Sequence, residues 1–112
     1  MASSKKYLEF ILEQLSDLEE IKYRAMMGEY IIYYQRKIVG GIYDDRLLVK
    51  PIKSAVSYIK TVTYELPYEG AKEMLLVKDV DSKEYLTGLF NAMYDELPVH
   101  KSHNKKKSLN NQ

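Results

Sequence analysis

The most constraining feature of the sequence is the stretch Met26 to Lys50, which is rich in tyrosine and branched aliphatic residues and is broken by short polar turns. The segment IKYRAMM, which leads into this stretch, alternates apolar and polar residues with the two-residue period of a half-buried strand. The segments YIIYY, IVGGIY and RLLVK follow, separated by Gly28-Glu29, Gln35-Arg36-Lys37 and Asp44-Asp45. Four short strands at this spacing predict an antiparallel meander that Pro51 ends, because proline lacks the ladder donor.

Two helices are predicted at the ends of this sheet. The first spans residues 4 to 19, with Ser3 or Ser4 as its cap and one apolar stripe formed by Tyr7, Phe10, Ile11, Leu15 and Leu18. The second begins with a capping box formed by Asp81 and Glu84 and ends at Pro98. Its apolar face consists of Tyr85, Leu86, Leu89, Phe90, Met93 and Leu97.

The middle of the chain is less regular. Residues 52 to 59 have a pattern that suits a short helix or a turn, and Pro67 and Gly70 interrupt one or two extended pieces, of which 73 to 77 is the better. The whole order predicts an α+β domain over residues 1–98. Its antiparallel meander sheet of about five strands carries the N- and C-terminal helices on one face, in two layers.

Charge is divided unevenly along the chain. The formal net charge is +1, but four of the 17 basic residues follow Pro98, so residues 1 to 97 carry 13 basic against 16 acidic residues, or −3. Residues 99–112 have little apolar content and are predicted to form a disordered basic tail. An acidic body is not typical of a duplex-DNA binder. Without cysteine, a signal-type segment or a long apolar run, we expect a cytoplasmic protein with no membrane association.

Residues suited to catalysis are scarce. His100 and His103 both fall in the predicted tail without a fixed third ligand, and no serine stands in a nucleophile elbow. Gly40-Gly41 lies within a strand, where it indicates a bulge or a close backbone approach and not a phosphate loop. The tyrosines Tyr30, Tyr33, Tyr34 and Tyr43 favour cross-strand packing over a cofactor box. We therefore predict no catalytic residue, no metal site and no cofactor.

The sequence also resembles a known family. YRAMMGEYIIYY, GGIYDDRLLVKP and YELPYEGAKEML, followed by a closing amphipathic helix, are similar to the N-terminal domain of the TfoX/Sxy family over residues 4 to 97. The shared features map onto Met27-Gly28, onto Asp44-Asp45 ahead of Leu47 to Lys50, and onto Tyr64 to Pro67. The hairpin at Gln35-Arg36-Lys37 departs from the pattern, because it lacks the expected glycine.

This resemblance implies an α+β fold similar to type III secretion chaperones and a link to regulators of competence for DNA uptake. The full-length regulators carry a second, C-terminal domain, so the likeness concerns the N-terminal domain alone. We expect a non-enzymatic protein that acts by protein–protein contacts. The role that the resemblance implies for it is transcriptional or competence regulation. Two alternatives are open: a nucleic-acid-associated protein using the lysine-rich tail and a sheet face, and a small-molecule-binding module with a tyrosine-lined groove.

Partner contacts are predicted at the turns of the meander, since turns held by a rigid sheet often carry binding residues. The candidate residues are Met27, Gly28, Glu29, Asp45 and Lys50. A homodimer is also predicted, because YIIYY is apolar on both faces and two helices on one face cannot cover it.

Overall fold

A computed structural model of the chain describes residues 3–99. All six strands form one antiparallel sheet in the order β1-β2-β3-β4-β6-β5, accompanied by three helices. The α+β prediction is thereby confirmed, with six strands where about five were expected. The elements are α1 (Lys5–Gln14), β1 (Ile21–Met26), β2 (Glu29–Tyr34), β3 (Lys37–Ile42), β4 (Leu47–Val49), α2 (Lys53–Ile59), β5 (Tyr64–Glu65), β6 (Met74–Leu76) and α3 (Lys83–Tyr94).

One hydrophobic core lies between the helices and one face of the sheet. Its members come from all three helices and from strands β2, β3, β4 and β6, and most of them are fully buried. They include Leu8 and Ile11 from α1, Ile32 and Tyr34 from β2, Val39 and Ile42 from β3, Leu47 and Val49 from β4, Ala55 from α2, Leu75 from β6, and Leu86, Leu89, Phe90 and Met93 from α3. Burial of these side chains is the main driving force for the fold. The two-layer architecture follows from it.

The meander turns are tight, and each has left-handed backbone at both central residues. Met27 and Gly28 have φ of 53° and 86°, Gln35 and Arg36 have 49° and 71°, and Asp44 and Asp45 have 53° and 55°. Two-residue hairpin loops favour this geometry, because its twist matches that of the flanking strands. The Gln35-Arg36 turn therefore forms without the glycine that the family pattern led us to expect.

Gly40 marks the bulge and the close approach that the sequence indicated. The register between β2 and β3 shifts between Ile32 and Tyr33, so that Val39 is the extra residue. A Cβ atom on Gly40 would collide with the Leu48 carbonyl oxygen and would lie 2.6 Å from the Cα of Val49. Only glycine fits between the two strands at this point.

The ends of both predicted helices need correction. Helix α1 ends at Gln14, not at residue 19, and Ser16 and Asp17 lie in a turn, as suits residues whose side chains compete with helical backbone bonding. Helix α3 is capped by Ser82, whose hydroxyl accepts a hydrogen bond from the Tyr85 amide at 3.1 Å. The predicted Asp81–Glu84 capping box is therefore wrong: Ser82 is the cap and Glu84 lies in the first turn, and the helix ends at Tyr94, ahead of Pro98.

The sixth strand is a short one that the sequence pattern did not separate. Tyr64 and Glu65 form β5 and pair with Leu75 and Met74 of β6. A two-residue strand is too short to show alternation, which explains why this part of the chain was irregular in the sequence pattern.

Most of the predicted basic tail, including His100 and His103, lies outside the described residues, so the tail stays a prediction. Within residues 3–99, no helix is long and apolar enough to cross a membrane. The same part of the chain contains no group of three histidine or acidic side chains placed to hold a metal ion.

Candidate interaction surface

Four of the five predicted contact residues meet at one end of the sheet. Met27 and Gly28 form the β1–β2 turn, Glu29 begins β2, and Asp45 lies in the β3–β4 turn at the same end. Met27 is 95% exposed, which leaves its side chain entirely to solvent. The meander topology alone accounts for this proximity, because in an antiparallel meander every second turn lies at the same end of the sheet.

Ser3 joins these turns to the start of helix α1. Its amide donates to the Gly28 carbonyl at 3.0 Å, and its hydroxyl donates to Glu29 Oε1 at 2.6 Å. The same hydroxyl accepts from the Asp45 amide at 3.0 Å, and Asp45 Oδ1 accepts from the Ser4 amide at 2.8 Å. We call Ser3, Ser4, Gly28, Glu29 and Asp45 the N-terminal clasp.

The clasp uses the polar groups of the predicted contact residues for internal bonds. Asp45 and the Ser4 hydroxyl, which accepts from the Tyr7 amide at 3.1 Å, both satisfy donors at the first turn of α1. Burial raises the pKa of the neighbouring Tyr7 hydroxyl, and the negative charge of Asp45 raises it further. The geometry gives Glu29 and Asp45 a structural role and leaves Met27 as the exposed member of the group.

Lys50 lies at the opposite end of strand β4 from Asp45. Its amide donates to the Val39 carbonyl at 2.9 Å, beside the β3 bulge. Burial lowers the pKa of its ammonium group. Since a strand rises about 3.3 Å per residue, the three residues of β4 place Lys50 well away from the clasp. The five predicted residues therefore do not form one continuous surface.

The four tyrosines considered as a cofactor box are divided between the two faces of the sheet. Tyr34 packs in the core against Phe90 and Tyr94, with ring centroids 6.3 and 5.3 Å away. Tyr30, on the same face, meets Tyr23 edge-on at 5.8 Å. Tyr43 lies on the opposite face, where its ring covers Gly41, and Tyr33 is also directed there by the strand alternation. This division fits cross-strand packing.

The second face of the sheet is covered on one side by the chain that follows β5. The Arg46 guanidinium contacts Glu65 Oε1 at 2.7 Å and donates to the Leu66 carbonyl at 3.1 Å. The Tyr68 ring packs on Tyr43 at 6.3 Å, and Leu48, which points to this face, is fully buried. Arg46 thus holds the segment after β5 near strands β3 and β4.

The other side of this second face has no such cover within residues 3–99. We call it the uncovered half-face; it is formed by alternate residues of β1, β2 and β3, namely Lys22, Arg24, Met26, Ile31, Tyr33 and Ile38. Ile31, Tyr33 and Ile38 are half-buried and belong neither to the core nor to the residues packed against it. Three apolar or aromatic side chains consequently lie side by side in contact with solvent.

The cations of the uncovered half-face have no acidic partner in the described part of the chain. Lys22 and Arg24 are exposed, and the ion pairs among residues 3–99 join Arg46 to Glu65 and Lys83 to Glu13. Lys22 lies directly across from Tyr33, and Arg24 lies across from Ile31. The apolar centre is therefore flanked by two unneutralised positive charges.

Sequence reasoning missed the residues that organise this surface. Ser3 was considered as a helix cap alone, and nothing in a single serine signals two turns that are distant in sequence. Arg46 and Glu65 were not paired, since they lie 19 positions apart, Arg46 just before β4 and Glu65 in β5, and these two strands are not adjacent in the sheet.

We predict that Asp45→Ala destabilises the protein by about 0.5–1.5 kcal/mol more than Asp44→Ala. Both residues have the same left-handed backbone, so both variants carry a similar conformational cost, but Asp45 alone accepts the Ser4 amide through its side chain. Urea denaturation of the two variants measures the difference. Equal midpoints would show that the clasp contributes nothing to stability.

Comparison with known proteins agrees with the resemblance seen in the sequence. An uncharacterized 12.7 kDa protein in the trpE 5' region of Spirochaeta aurantia is 31% identical over 80 residues, covering 71% of this chain and 70% of that protein. No solved structure matches the chain, so the expected likeness to secretion chaperones stays a prediction. The family model of the TfoX N-terminal domain matches residues 13–89, from the end of α1 through the sheet into α3. The chain belongs to the TfoX N-terminal domain family.

Proposed function

We propose that this protein is non-enzymatic and acts by binding another protein through the uncovered half-face. The observation that carries the proposal is the one-sided packing of the sheet: all three helices contribute to a core on one face, while Ile31, Tyr33 and Ile38 remain half-exposed on the other. Exposed apolar groups gathered on one surface usually mark an interaction site.

The chemistry of the half-face indicates what kind of partner suits it. Interfaces commonly have an apolar or aromatic centre and a polar rim. Here the centre is Ile31, Tyr33 and Ile38, and Lys22 and Arg24 form a cationic rim that no acidic residue among 3–99 pairs with. A partner surface with apolar groups flanked by carboxylates would match both parts.

The resemblance to competence regulators supports a role in transcriptional regulation, exerted through contacts with a regulator and not through chemistry on a substrate. A cytoplasmic location belongs to the same proposal. The Spirochaeta relative is uncharacterized, and its name refers to a position near trpE.

Binding to the half-face is testable with charge and shape variants. A partner captured from the source cell is purified, and its affinity is measured for Ile31→Lys and Arg24→Glu. Each variant should bind about tenfold or more weakly, because one places a charge at the apolar centre and the other reverses the rim. Lys6→Glu, on an exposed position of α1, is the matched control and should bind like the wild type.

Arg24→Glu is a surface change, so its stability should stay within about 0.5 kcal/mol of the wild type. A loss of binding by this variant therefore reports on the surface and not on folding. Equal affinity of all three variants would overturn the assignment of the half-face as the contact site.

The predicted homodimer is a specific form of this proposal in which the partner is a second copy. The half-face supplies the apolar surface on which the sequence prediction relied. Light scattering at high micromolar concentration should then give twice the monomer mass of 13.1 kDa, and Ile31→Lys should restore the monomer. A wild-type protein that stays monomeric would exclude self-association through this face.

Nucleic acid binding is the second candidate, and Lys22 and Arg24 are the observation that favours it. Two unneutralised cations beside an aromatic side chain suit a phosphate backbone with stacked bases. Anisotropy titration of a single-stranded oligonucleotide should show binding that weakens steeply with salt and that Arg24→Glu reduces. Repeating the titration without residues 99–112 separates the sheet face from the lysine-rich tail, and binding that depends on the tail alone would exclude the face.

A further inference from the structure

Strand β1 is a long and exposed edge of the sheet. It lies first in the strand order, and five of its six residues are exposed. It contains no proline, and its pairing with β2 shows no register shift. The opposite edge strand, β5, has two residues and is followed closely by Pro67. Since exposed edges are usually shortened, bulged or covered, β1 is the edge that can accept another strand.

The β1–β2 turn determines which residues of β1 direct their backbone N–H and C=O groups toward β2 and which direct them away from the sheet. Met26 and Glu29 flank the two-residue turn as a bonded pair, so the alternation of an antiparallel ladder directs the backbone groups of Lys22, Arg24 and Met26 toward β2. The bond from the Gln35 amide to the Glu20 carbonyl, at 3.0 Å, continues the same phase. The backbone groups of Ile21, Tyr23 and Ala25 therefore point away from the sheet, and no described residue hydrogen-bonds to them outside the ladder.

A groove borders this edge on the helix side of the sheet. It has a volume of about 550 Å³, and its apolar lining comes from Leu12 of α1, from Leu15 and Leu18 in the turn that follows, and from Ile21 and Tyr23 of β1. Ser16, Glu20 and Lys22 also border it. Tyr23 is 45% exposed because the helix layer does not extend over β1. A strand added to β1 would direct every second side chain toward this groove.

Charge argues against a second copy of β1 as the added strand. When two β1 strands pair in an antiparallel, two-fold arrangement, the outward residues Ile21, Tyr23 and Ala25 of one copy must face outward residues of the other. Odd-numbered residues therefore lie opposite odd-numbered ones, and even-numbered residues opposite even-numbered ones. The registers with the longest overlap, centred on Tyr23 and on Arg24, set Lys22 against Arg24 or Arg24 against itself. Like charges directly opposite are destabilising, so the edge favours an acidic partner over its own copy.

We propose that β1 binds an extended segment of a partner protein in which acidic and apolar residues alternate, by addition of that segment to the sheet. The apolar side chains occupy the groove beside α1, and the carboxylates face Lys22 and Arg24 on the other side. Backbone bonds to Ile21, Tyr23 and Ala25 hold the segment, as in other complexes formed by strand addition. This inference rests on the proposed function and names the chemistry of its partner.

The test uses a fluorescein-labelled octapeptide of alternating valine and glutamate as the probe. Ala25→Pro removes an outward donor without removing a bond to β2, and it should weaken binding about tenfold. Ala25→Val keeps the donor and should bind like the wild type. Lys22→Glu combined with Arg24→Glu should reverse the charge preference, so that an octapeptide of alternating valine and lysine binds better than the glutamate probe.

Backbone methylation of the probe tests strand addition without altering the protein. An added strand uses one alternate set of its amides, which are the valine amides in an antiparallel arrangement and the glutamate amides in a parallel one. Methylating one set should abolish binding, while methylating the other should leave it unchanged. Loss with both sets, or with neither, would overturn the proposal, as would equal affinity of Ala25→Pro and Ala25→Val.

The natural partner distinguishes this inference from the proposed function. If Ala25→Pro binds the purified partner like the wild type while Arg24→Glu does not, strand addition is wrong and the half-face still stands as the contact site. If neither variant loses the partner, both proposals fail.

Discussion

The structure depends on the burial of one sheet face under three helices. Leu8 and Ile11, Ala55, and Leu86, Leu89, Phe90 and Met93 bring apolar faces from α1, α2 and α3 to a single core. The described part of the chain has no further helix for the second face, and the segment held by Arg46 covers part of that face. Among residues 3–99, the half-face formed by β1, β2 and β3 and the edge of β1 are therefore left without a covering element.

Polar contacts fix the position of the layers and add less to their cohesion. The clasp made by Ser3 connects the start of α1 to two turns of the meander, and Glu96 accepts hydrogen bonds from the Lys53 and Ser54 amides at the start of α2. The Ser54 side chain lowers the pKa of the Glu96 carboxyl group most, and the Ser54 and Lys53 amides lower it further. The clasp ties the start of α1 to the sheet, and Glu96 ties the start of α2 to the end of α3, at helix starts whose amides would otherwise need water.

Much of the fold followed from residue patterns, and the site followed in part. The period-two segments and the turn residues correctly predicted β1 to β4, and the apolar stripes predicted α1 and α3. Met27, Gly28, Glu29 and Asp45 lie at one end of the sheet, since turns of a meander share ends, and their role as contact residues stays a prediction. The separation of Lys50, the bridging role of Ser3 and the position of β1 at the edge depend on strand order and on contacts between distant residues. A single sequence carries no signal for these.

Amide hydrogen exchange, resolved by residue in the isolated protein, tests most directly the claim that β1 is an open edge. We expect the exchange rates to alternate along the strand: slow exchange at Lys22, Arg24 and Met26, whose amides bond to β2, and fast exchange at Ile21, Tyr23 and Ala25. Equal protection of all six amides would contradict it, because the outer side of β1 would then already be covered.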